Sequence, residues 1–101
     1  MYEGDIATLQ MQNLLLEQAS FDQRVYRCRI LQHEKGSEHI HLILEDGILP
    51  EMLLDAVYEC RIMNQAAPVA CKGMIKDRCL SEHGQVLHFR IEAGFYEINI
   101  K

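Results

Sequence analysis

Short stretches of this chain, among them YRCRI at 26–30, VYECRI at 57–62 and VLHFRI at 86–91, place an apolar side chain at every second position. A period of two sends one set of side chains to one face of an extended strand and the other set to the opposite face. Each stretch therefore reads as a β-strand with one buried face. Several such strands at close spacing, separated by turn residues, fit a small barrel or sandwich.

In the first clear strand Tyr26, Cys28 and Ile30 form the apolar face, while Arg24, Arg27 and Arg29 supply most of a basic outer edge. After the turn-like HEKGSE, Ile40, Leu42 and Leu44 alternate with His39, His41 and Glu45, giving a strand antiparallel to the first across a hairpin. Tyr58, Cys60 and Ile62 oppose Glu59 and Arg61 on the next, which stops before NQAAP. Val69, Cys71 and Ile75 face inward on another, with Lys72 and Lys76 outward and Gly73 marking a bulge or a sharp bend. SEHG turns the chain into QVLHFRIE, where Leu87, Phe89 and Ile91 oppose His88, Arg90 and Glu92, and Ala93-Gly94 leads into FYEINIK as a separate strand. The expectation is an all-β fold, a small six-stranded antiparallel barrel, in a single domain spanning 1–101.

Two segments leave the strand pattern. DIATLQMQNLLLEQ, residues 5–18, is rich in helix formers, with Asp5 available as a cap, and its local reading is a helix. Alternation of Ala7, Leu9 and Met11 with Thr8, Gln10 and Gln12 also permits a strand in its first half, and Leu14, Leu15 and Leu16 make an apolar patch suited to docking. PEMLLD, residues 50–55, places Pro at a first helical position and predicts one short helix.

A formal charge of −5 supplies no positive field for a phosphate backbone, so nucleic acid is not an expected partner. No apolar run approaches the roughly 20 residues of a membrane span, and Tyr2-Glu3-Gly4-Asp5 is not the basic start of a secretory signal. The expected location is cytoplasmic. Cys28, Cys60, Cys71 and Cys79 contain no C-x-x-C pair and read as reduced, buried and inert thiols.

The stretch EHIHLILEDG gives His39, His41 and Glu45 in the spacing H-x-H-x-x-x-E, which resembles the first half of the cupin metal motif. Shared parity would carry three ligands to one face. The same parity, however, assigns Ile40, Leu42 and Leu44 to the core and the histidines to solvent, so the preferred reading is a polar outer surface without a metal or other cofactor. Arg24, Arg27 and Arg29 are candidates for an anion-reading surface, since guanidinium forks match phosphate geometry. No nucleophile elbow, P-loop or paired catalytic carboxylates occur, so no catalytic residue is assigned and the reading favours a domain that is not an enzyme.

From Arg24 to Lys101 the order YRCRILQ, turn, HIHLILEDGILP, VYECRIM, HFRIE and FYEINIK resembles the PilZ-associated barrel in the N-terminal half of bacterial flagellar brake proteins. The resemblance implies a regulatory or protein-interaction domain in cyclic-di-GMP signalling, partnered by a neighbouring domain or another protein. PilZ domains hold the nucleotide with R-x-x-x-R and D/N-x-S-x-x-G segments. Here Arg24 and Arg27 give only R-x-x-R and the second segment is missing, so direct cyclic-di-GMP binding by this chain is not expected.

Overall fold

The computed structural model describes residues 2–14, 21–34, 36–63 and 68–97. Six strands form a closed antiparallel barrel: β1 (Ile6–Leu14), β2 (Val25–Gln32), β3 (His39–Leu44), β4 (Ala56–Ile62), β5 (Val69–Ser81) and β6 (Gly84–Glu97). Around the ring the order is β1-β2-β3-β6-β5-β4, so β6 seats between β3 and β5 while β1 closes the gap between β2 and β4.

Strand parity puts the apolar sets inside as the sequence requires. Tyr26, Cys28 and Ile30 of β2, Ile40, Leu42 and Leu44 of β3, and Tyr58, Cys60 and Ile62 of β4 are all buried. On β6 Leu87 and Phe89 are buried, and Ile91 packs against this core from its margin. Removing a side chain of this size from water stabilises the fold by roughly 1.5–3 kcal/mol, which is why a one-residue slip of any strand is excluded.

Of the two readings open for residues 5–18, helix or strand, the described part takes the strand, β1. Ala7, Leu9 and Met11 are buried in the barrel, and the backbone pairs on both sides, Leu9 with Tyr26 of β2 and with Cys60 of β4. Helix propensity amounts to a fraction of a kcal/mol per residue, whereas a helix here would leave the facing edges of β2 and β4 unpaired. Residues 15–20, including Leu15 and Leu16 of the apolar patch, lie outside the described residues.

The short helix expected at 50–55 is a single 3-10 turn, Leu49–Glu51. The turn delivers Met52 into the core, fully buried. Its peptide groups are held by side chains from the barrel wall: Gln85 accepts the Leu49 N–H at 3.1 Å and donates to the Gly47 carbonyl at 3.1 Å, Tyr58 accepts the Leu53 N–H at 3.1 Å, and Arg78 donates to the carbonyls of Leu49 and Met52. These bonds satisfy backbone groups that so short a helix cannot satisfy internally.

The separate strands expected at QVLHFRIE and FYEINIK are one continuous strand as far as Glu97, and residues 98–101 lie outside the described residues. The β5–β6 register shifts three times, with the extra residue on β6 between Ala70 and Lys72 and between Lys72 and Gly73, beside Ala93-Gly94, and on β5 between Ile75 and Asp77. A Cβ at Gly73 would stand 2.0 Å from the Arg90 carbonyl oxygen, so only glycine lets the two strands approach there. Pairing of β5 with β4 runs from Val69 to Met74, while its pairing with β6 continues to Ser81. The resulting two-stranded arm carries Cys79 into solvent, contrary to the buried position expected for it, and leaves Leu80 78% exposed.

Candidate functional site

On the outer face of β3 the parity that buries Ile40 and Leu42 turns His39 and His41 outward. The neighbouring β6 does the same with His88, which lies between the buried Leu87 and Phe89. In the β3–β6 ladder His41 is directly opposite His88 and His39 is opposite Arg90. The three imidazoles therefore meet. His88 Nε2 and His39 Nδ1 share a hydrogen bond of 2.7 Å, the His41 and His88 rings stack at 4.8 Å between centroids with an 18° interplanar angle, and His39 and His88 are also 4.8 Å apart.

Partial burial holds the His88 imidazole below its ordinary pKa, and the neighbouring His41 and His39 add to the effect, while the Asp77 carboxylate opposes it. Asp77 stands opposite His88 on the other side, in the β5–β6 ladder. His39 and His41 also border a cleft of about 200 Å³ with Gln32, Glu34 and Ser37. As the rings stand, no three His, Cys, Asp or Glu groups among the described residues form a ready-made metal cage.

Glu45, the third member of the H-x-H-x-x-x-E spacing, does not join this cluster. Its carboxylate oxygens lie 3.3 Å from Arg27 Nε and 3.2 Å from Arg29 Nε, on the β2 side. His88 takes the third place instead. Its outward parity was readable, but its meeting with His39, 49 positions away in the chain, depends on the β3–β6 register, for which no local signal exists.

The three arginines are likewise turned outward but are already engaged. Beyond the Glu45 contacts, Arg24 lies 3.9 Å from Asp46 and 3.7 Å from Glu51, with its guanidinium 4.8 Å over the Tyr26 ring, while Asp46 also accepts the Arg27 backbone N–H at 2.7 Å. Carboxylates thus neutralise this face, and an incoming phosphate would have to displace them.

A larger cleft, about 360 Å³, opens beside the β2–β3 turn and is lined by His33, Gly36, Ser37, Glu38, Ile91, Gly94 and Phe95. Tyr2, His33 and Phe95 gather there, with ring centroids 5.6 to 6.1 Å apart. His33 is buried, whereas Phe95 keeps 39% of its surface exposed. Sequence reasoning passed over this group, because Tyr2 and His33 lie outside the alternating runs.

No family model matches the chain, and comparison with curated proteins and with solved structures found no match. Among the described residues no helix is long and apolar enough to cross a membrane.

Proposed function

We propose that this chain is a non-enzymatic regulatory or protein-interaction barrel, related in kind to the PilZ-associated barrel of flagellar brake proteins, in a cytoplasmic signalling setting. The observation that carries the reading is the aromatic cleft around Phe95, an apolar surface with a half-buried ring on a barrel whose own interior is filled by side chains. Exposed aromatic side chains beside a groove are typical anchors for a protein partner. The engagement of Arg24, Arg27 and Arg29 with carboxylates supports a partner other than the nucleotide itself.

Calorimetric titration of the chain with cyclic-di-GMP is expected to give no heat of binding, and a micromolar isotherm would refute the division of labour proposed here. A second titration follows backbone amide resonances while a nucleotide-loaded PilZ domain is added. Shifts centred on Ile91, Gly94 and Phe95 that vanish in Phe95→Ser are expected. Absence of any shift would remove the PilZ context, and shifts confined to another face would remove the cleft from the interface.

A further inference from the structure

We propose that His39, His41 and His88 form a binding site for a divalent first-row transition-metal ion on the outer face of the β3–β6 ladder, with zinc as the probe. The proposal stands independently of the partner reading above, since it uses a different surface feature.

Neutral imidazole is a ligand suited to zinc, cobalt, nickel and copper, and the ladder places three of them in a triangle. Two come from alternate positions of one strand, and the third comes from the residue directly opposite His41 on the next. The short His39–His88 hydrogen bond of 2.7 Å brings two ligating nitrogens nearly to the separation an ion requires. Two nitrogens bound tetrahedrally to zinc at about 2.0–2.1 Å stand about 3.3 Å apart, so less than about an ångström of opening would convert the hydrogen bond into a shared ion.

His41 needs the larger adjustment. Its ring lies flat on that of His88 rather than aiming a nitrogen between the other two, which is why the resting arrangement is not a finished cage. Its ring borders open cleft volume beside Gln32 and Ser37, so a change of rotamer meets no packed core. Rotation between staggered side-chain wells costs little where packing permits it. With three protein ligands the fourth tetrahedral position would face solvent, as in zinc sites that exchange a water or an external ligand.

The surrounding charge also suits a cation. Asp77 flanks His88 in the β5–β6 ladder, and the nearest guanidinium of the β3–β6 ladder, Arg90, has Glu38 at 3.9 Å as its counter-ion. Glu45 is excluded as a ligand by its contacts with Arg27 and Arg29.

The test is calorimetric titration of the metal-free full chain with zinc chloride, paired with NMR of the imidazole nitrogens. One equivalent should bind, with His39, His41 and His88 shifting together and His83 unmoved. His39→Ala, His41→Ala and His88→Ala should each weaken binding about tenfold or more, while Glu45→Gln should leave it unchanged. Failure to bind, unaltered affinity in His88→Ala, or binding lost in Cys79→Ser would overturn the site. Should a histidine variant fold poorly, the imidazole spectrum of the unaltered protein still decides which rings meet the metal.

Discussion

Gly73 is a position at which a single methyl group decides whether two strands can meet. A Cβ there would meet both the Arg90 backbone and the Phe89 ring, and backbone cannot yield as a flexible side chain can. Gly73→Ala should therefore lose about 3 kcal/mol or more of stability, read as a fall in the urea midpoint. Glu59 offers a gentler test. Burial opposes its ionisation, but hydrogen bonds from Tyr96 at 2.6 Å and Arg61 at 2.6 Å outweigh it, holding the carboxyl below its ordinary range. A depressed carboxylate pKa contributes stability that is complete above the unfolded value and disappears as pH falls through the folded one. Stability should thus decline as pH drops below the ordinary glutamate range, and Tyr96→Phe should move the Glu59 titration, followed by NMR, upward. The same bond pushes the Tyr96 hydroxyl up to about 12.

At the scale of elements, the alternating strands were legible because a period of two leaves a mark on every residue. Positions such as Tyr58, Cys60 and Ile62 needed nothing beyond their neighbours. β1 was ambiguous because its residues favour a helix locally, and only the vacant space between β2 and β4 overrules them. The histidine cluster was half legible: His39 and His41 announce themselves by spacing, whereas His88 joins them through a cross-strand register that no local pattern encodes. The β5–β6 arm was hidden for the same reason, and with it the exposure of Cys79. Thiol chemistry checks that arm. A small alkylating reagent should modify Cys79 in the native protein and spare the rest, because Cys28, Cys60 and Cys71 are buried. Burial pushes the Cys28 thiol up to about 12, and hydrogen bonding with Cys71 followed by burial raises Cys60. Equal labelling of all four thiols at native pH would mean that the barrel opens readily.

At the scale of the molecule, closure gives each of the six strands a neighbour on both sides, while β5 beyond Met74 pairs with β6 alone. Removing residues 1–20 would take out β1 and expose two facing edges, on β2 and β4, which are templates for pairing with other chains. The shortened protein should lose its cooperative unfolding transition and scatter light as an aggregate; a soluble monomer with an unchanged circular dichroism spectrum would count against the topology. The ring order also has a bearing on how the chain is made. β6 occupies the space between β3 and β5, so a ribosome that has released everything through Ser81 has still produced an open trough rather than a barrel. Until Gly84–Glu97 emerges, β3 and β5 each keep an edge without its partner strand, and the nascent barrel is open to mispairing for that interval.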